Sequence, residues 1–143
     1  MSIKKEHQLT CPNCGHEQKI LIWSAANVTL DQVIRTKVFD GEINLFNCEK
    51  CVHRSYIETS FLYHDMDRKF AVHYFPKPSI KKVDFLDKFN KNGLLKTEDN
   101  ELKFEIPHYM KEVHVVFDMN ELVSYVVFRE MLFDYQNKNI KNE

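Results

Sequence analysis

The four cysteines of this 143-residue chain fall into two pairs, Cys11-Pro12-Asn13-Cys14 and Cys48-Glu49-Lys50-Cys51. Two residues between thiolates let a tight turn aim both sulfurs at one point, about 2.3 Å from a zinc ion. Pro12 presets φ for such a turn. Gly15 can take the positive φ that turns backbone N–H groups toward sulfur. Two turns of this kind complete a tetrahedron with no open position, the arrangement of a structural zinc rather than a catalytic one. The expectation is therefore Zn2+ on Cys11, Cys14, Cys48 and Cys51. Four thiolates also suit an electron-transferring iron, but the chain is much longer than a small iron carrier, which favours zinc. Thioredoxin-like chemistry needs one such pair opening a helix, whereas polar, β-prone sequence follows both pairs here. His16 and His53 each stand two residues beyond the last cysteine of their pair and are read as neighbours of the site, not ligands. Val52 occupies the place where glycine would suit the second turn, so that turn is expected to be the less regular one.

A second set of candidates surrounds an expected hairpin. His64, Asp65 and Asp67 read as its polar tip, because Asp carboxylates bond nearby backbone N–H groups in turns. The catalytic alternative would use His64, Asp65, His73 and Tyr74 as acid–base groups. Other catalytic signatures are missing: there is no nucleophile elbow and no His-Glu-x-x-His, and 3 glycines leave no phosphate-cradling loop.

The elements that must carry these residues follow from periodicity. The gap between the cysteine pairs is 33 residues, Gly15 to Asn47, longer than the ~15–20 of a compact zinc motif. Something folded must fill it. Gln18 to Trp23 reads as a strand apolar on both faces, with Trp23 in the core. Thr29-Leu30-Asp31-Gln32 reads as a capping box. Leu30, Val33, Ile34 and Val38 then follow at helical spacing, and Gly41 is a left-handed terminator. Ile43 to Asn47 is a short strand entering the second pair. Ser55–Tyr63 and Lys69–Phe75 form the hairpin around His64–Asp67, and Pro76 and Pro78 end it. Residues 76–111 are polar and less regular. There Val83, Phe85, Leu86 and Phe89 suggest a short helix stopped near Asn92-Gly93, and Leu102, Phe104 and Ile106 a short strand. Val113–Phe117 is a β-branched strand, and Asp118 to Glu121 resembles a capped helix start. The helix Met119–Tyr135 is apolar over more than one stripe, so it belongs to the core or shares a face with a partner. Residues 136–143 are a polar, frayed tail.

Charge is balanced, with 20 Lys+Arg against 21 Asp+Glu. A dedicated nucleic-acid binder carries a basic surplus, so nucleic acid ranks behind a protein partner or a homodimer. The lysines of 77–91 and the acidic residues of 98–105 read as solvated faces. No stretch approaches the ~18 apolar residues of a membrane helix, and charges interrupt the N-terminal residues before a signal-like stretch forms. The expected location is cytoplasmic, where paired cysteines hold metal more often than they form disulfides.

The chain resembles the CpXC protein family of bacteria and archaea. The resemblance rests on Thr10-Cys11-Pro12-Asn13-Cys14-Gly15-His16, on Trp23 to Thr29, and on Gly41-Glu42-Ile43-Asn44 and the residues through Cys51. It continues in Leu62-Tyr63-His64-Asp65, in Phe70 to Pro76, and in Val115 to Val123. It implies the four cysteines as metal ligands and brings no assigned reaction. Two departures stand out: the second pair lacks the Pro and Gly of the first, and Ser124-Tyr125 replaces a charged pair. The expected fold is α+β: a zinc-ribbon-like four-cysteine site with an inserted helix, a β-hairpin and a C-terminal core helix. One domain is expected over 1–143, with a zinc-ribbon-like part at 9–75 and a C-terminal α+β part at 76–135. The residues themselves point to a zinc-binding protein- or nucleic-acid-interaction module of unassigned activity, with an enzyme site around the 63–74 hairpin and a four-thiolate iron carrier as alternatives.

Overall fold

The computed structural model describes residues 2–96 and 107–141, with side chains to 138. The fold is α+β. A five-stranded sheet has the order β1 (Ile3–Thr10), β2 (Glu17–Asn27), β5 (Phe61–Asp65), β6 (Phe70–Tyr74), β7 (His114–Val116). A separate two-stranded ladder pairs β3 (Leu45–Asn47) with β4 (Arg54–Tyr56). Helix α1 (Gln32–Phe39) fills the gap between the cysteine pairs, and α2 (Met119–Lys141) closes the chain. β1–β2 and β5–β6 are antiparallel, whereas β2–β5 and β6–β7 are parallel.

The core lies between one face of the sheet and the two helices. Trp23, Ala26 and Val28 meet Ile34 and Val38 of α1, Phe61, Tyr63, Phe70 and Val72 of the hairpin, and Leu122 and Val126 of α2. Side chains alternate along a strand, so Phe61, Tyr63 and Asp65 share the core face of β5, and His64 turns to the other. On that other face His73 stacks on Phe75 at 4.2 Å, and Phe75 packs against Phe85 at 5.1 Å.

Several expectations require correction. β1 was not expected at all: as an edge strand exposed over nearly its whole length, it has no buried face to impose alternation. The expected strand 55–63 divides between two sheets, because β4 pairs with β3 and β5 with β2 and β6. The turn is Met66–Lys69, so His64 and Asp65 lie in a strand and are buried rather than at the tip. The capping box at Thr29 does not form. Thr29 Oγ1 instead donates to Asp65 Oδ1 at 3.2 Å and accepts from the Met66 and Asp67 N–H groups at 3.0 and 3.2 Å. α1 thus starts at Gln32 with no side-chain cap, and Leu30 and Val33 are exposed. The short helix at Val83–Phe89 is replaced by two 3₁₀ turns, Lys77–Lys81 and Leu86–Lys88. Asp84, at φ 66°, breaks the run between them, and Val83 is exposed. The strand expected at Leu102–Ile106 lies outside the described residues.

Other signals translate directly. α1 ends in a Schellman arrangement: Gly41 has φ 71°, its N–H bonds Val38 O, and Glu42 N–H bonds Lys37 O at 2.8 Å. Asp118 Oδ1 accepts the Asn120 N–H at 2.7 Å, and Glu121 reaches back to the Phe117 N–H. α2 continues past Tyr135 to Lys141, so the expected tail is largely helix.

Burial pushes the His73 imidazole down to about 4, and nearby Lys88 adds to the shift. The unfolded chain takes up this proton near pH 6.5, whereas the folded protein refuses it until about pH 4. Between those values the unfolded state binds more protons, so stability falls as pH falls, by up to about 3 kcal/mol. His73→Phe is expected to flatten this slope. Urea unfolding at pH 7 and pH 4.5 measures it; an equal acid loss in both proteins would refute the assignment.

Candidate metal centre

Each cysteine pair forms the tip of a hairpin. The first joins β1 to β2, whose last rung is Thr10–Glu17; the second joins β3 to β4, whose last rung is Asn47–Arg54. Both tips close with the same backbone bond, Cys11 N–H to His16 O at 2.8 Å and Cys48 N–H to His53 O at 3.0 Å. They differ where the sequence differs. Gly15 has φ 78° and bonds Cys11 O at 2.9 Å. Val52 keeps a negative φ, its side chain stands in solvent, and no matching bond forms among the described residues.

The four Sγ atoms lie within 4.8 Å of one another, with Cys11–Cys51 at 3.6 Å and Cys14–Cys48 at 3.5 Å. Four sulfurs about 2.3 Å from one ion in a tetrahedron sit about 3.8 Å apart. The spacing therefore matches a four-thiolate cage, and all four cysteines are free. Cys11 and Cys48 are buried, Cys14 is exposed and Cys51 half-buried, so one edge of the cage faces water. Cys11 and Cys48 pack with Phe46, Leu9, Ile20 and Ile57.

Polar hydrogens converge on the sulfurs. Lys50 N–H approaches Cys48 Sγ at 3.4 Å, His53 N–H approaches Cys51 Sγ at 3.5 Å, and Asn13 Nδ2 reaches across to Cys51 at 3.5 Å. The Asn13 amide, then the His53 N–H, lowers the Cys51 thiol to about 6 against the effect of burial. At Cys14 the His16 N–H pulls downward, but burial and the shared Cys48, Cys51 and Cys11 thiols outweigh it and raise the group to about 11. Cys14 and Cys51 are thus shifted in opposite directions, and a bound cation would displace the protons that remain on its ligands. The histidines act through their backbones. Their rings point elsewhere, His16 Nε2 to Glu49 at 3.5 Å and His53 Nε2 to Ser55 Oγ at 3.2 Å.

What brings the two tips together is a pair of side-chain amides that the sequence reading did not single out. Asn44 mimics a strand residue along β2: its Oδ1 accepts the Trp23 N–H at 2.8 Å, and its Nδ2 donates to Trp23 O at 2.9 Å. Gln18 does the same lower down, donating to Asn47 O and accepting the Glu49 N–H, both at 3.0 Å. Asn44 sits at φ 52°, a region that Asn tolerates better than most residues. The run Gly41-Glu42-Ile43-Asn44 marked the position; only the fold shows its role.

The structure does not bring the four hairpin candidates together. His64 and His73 occupy one face of the sheet, Asp65 and Tyr74 the other. Asp65 is structural: its carboxylate takes the Arg68 guanidinium at 2.9 Å, the Arg68 N–H at 3.0 Å and the Thr29 hydroxyl. Nearby, Arg35 of α1 grips Glu130 of α2 through two 2.8 Å bonds. These pairs line a polar cleft of about 360 Å³. A larger cleft of about 700 Å³ lies between Phe39, Ile43, Tyr56, Tyr74, Met119 and Val123. Neither cleft includes a cysteine.

Fold and site together define a small α+β domain whose paired hairpin tips present a four-cysteine, metal-compatible cluster. The family model described as CpXC protein matches residues 9–134. The chain belongs to the CpXC family. Comparisons with curated proteins and with solved structures return no match. No helix among the described residues is long and apolar enough to cross a membrane.

Proposed function

We propose that the chain is a zinc-binding interaction module of the cytoplasm, with one structural Zn2+ on Cys11, Cys14, Cys48 and Cys51. The observation that carries this reading is the convergence of four sulfurs from two separate hairpin tips within 4.8 Å. Four thiolates saturate a tetrahedral ion, and both clefts lie elsewhere. Zinc there would supply cross-linking of the two tips, not a reacting water. The interaction role draws on α2, which exposes Val127, Phe128, Met131 and Tyr135 to solvent. Single exposed apolar residues are ordinary; a group on one helix marks a contact surface.

Native mass spectrometry with elemental analysis tests the metal. The expected result is one zinc per chain, lost to a strong chelator together with native circular dichroism. Structural zinc contributes ~10–16 kcal/mol in small domains, against a typical net stability of ~5–15 kcal/mol, so stripping it should unfold much of the chain. A coloured protein containing iron would replace zinc with the electron-transfer reading. A metal-free protein with full native signal would reject both.

A further inference from the structure

The outward face of α2 carries a stripe at alternating three- and four-residue steps: Glu121, Ser124, Phe128, Met131, Tyr135 and Lys138. All six are exposed, with Phe128 at 56%, Met131 at 67% and Tyr135 at 65%. At about 100° per residue the stripe lies on the far side of the helix from Leu122 and Val126, which are fully buried in the core. Glu121 also reaches the Phe117 N–H at the start of the helix, whereas Phe128, Met131 and Tyr135 stand exposed to solvent. Steps of this kind are those of a coiled-coil seam.

The stripe is also its own complement. In an antiparallel pair whose two-fold axis passes between residues 129 and 130, each position meets a fitting one on the second copy. Glu121 faces Lys138, small Ser124 faces bulky Tyr135, and Phe128 faces Met131, a sulfur–aromatic pairing. Reversing every pair gives the same list, which is what a two-fold interface requires. A parallel pair would place Glu121 on Glu121 and Lys138 on Lys138, a like-charge arrangement that disfavours docking.

We propose that α2 is a homodimerisation helix and that the partner seated on it is a second copy of this chain, antiparallel in the register just given. This rests on the reading of the chain as an interaction module and names its partner. The contact runs along about 25 Å of helix, so the interface is small and the dimer is expected to dissociate in a roughly micromolar range.

Sedimentation velocity of the full zinc-loaded chain from 1 to 300 µM (about that range, chosen to bracket the midpoint) tests this directly. The expected result is a monomer–dimer equilibrium that Met131→Glu weakens by more than about tenfold, because it buries a carboxylate opposite Phe128. Glu121→Lys and Lys138→Glu are each expected to weaken it several-fold, and the double exchange to restore it, since the opposite charges then face again. A chain that stays monomeric throughout overturns the proposal and leaves the face to a different protein. A dimer indifferent to Met131→Glu overturns it as well, as does a dimer that ignores the single charge changes. Zinc content of the same samples separates the failures. A monomer with one zinc per chain sinks the dimer and leaves the zinc scaffold standing, whereas a chain without zinc sinks the scaffold. Circular dichroism checks the fold of each variant, and Met131→Glu and Lys138→Glu carry the test if Glu121→Lys, which also removes the carboxylate at the Phe117 N–H, loses helix.

Discussion

Cys11→Ser is expected to lower zinc occupancy and to lower the melting temperature by at least about 10 °C. Cys11 is 2% exposed and packs with Phe46 and Cys48, so its sulfur is both a donor and part of the small apolar cluster under the cage. A serine hydroxyl stays protonated at neutral pH and is a poor match for a thiolate site. If four thiolates share the ~10–16 kcal/mol of structural zinc, one accounts for ~3–4 kcal/mol. In a domain of this size each kcal/mol moves the midpoint by ~2–4 °C. Elemental analysis and differential scanning calorimetry read the two effects on one sample. Full zinc occupancy in the variant would remove Cys11 from the ligand set.

Asn44→Ala has a comparably large expected effect, a loss of about 3–7 kcal/mol with zinc held at saturation. The substitution strips the Trp23 N–H and C=O of the partners that hold them at 2.8 and 2.9 Å. Each buried group left unpaired costs about 1–3 kcal/mol. Alanine also inherits φ 52°, which is unfavourable for a residue with a Cβ by roughly 1 kcal/mol. Asn44→Gly separates the two contributions, since glycine tolerates that backbone and still lacks the amide. The glycine variant should recover only the smaller part. Because Asn44 ties β2 to the segment leading into the second tip, zinc affinity should fall with stability. Denaturant unfolding at saturating zinc with a competing chelator titration measures both. A change under 0.5 kcal/mol, roughly the scatter of neutral surface substitutions, would mean the amide is not a structural link.

The four-cysteine cluster was legible in the sequence because its code is local. Cys-Pro-Asn-Cys-Gly states a turn, a pair of donors and a positive φ within a few residues, and the turn formed with Gly15 at φ 78°. The same holds for the ends of the helices, where Gly41 and Asp118 act on groups two to five residues away. Thr29 is the instructive exception. Its sequence context is a capping box, yet the hairpin turn offers its hydroxyl two N–H donors and the buried Asp65 acceptor. Three bonds to another element outcompete one local cap.

Two groups of residues carried no local signal. β1 reads as polar because an edge strand with two wet faces has no pattern to show. The strand at 55–63 looked continuous because β propensity does not record which sheet a strand joins.

From its residues alone, the chain determined its four-cysteine chemistry, its α+β class, the ends of its helices and the apolar character of α2. The tertiary structure decided the rest: how Asn44 and Gln18 clamp the second hairpin tip to β2, why His64 and His73 lie on the opposite side of the sheet from Asp65 and Tyr74, and which stripe of α2 faces outward. The physical reason is range. Turns, caps and donor spacing are set by neighbours along the chain, whereas pairing partners and buried faces are set by residues tens of positions away, and those meet only when the whole core closes.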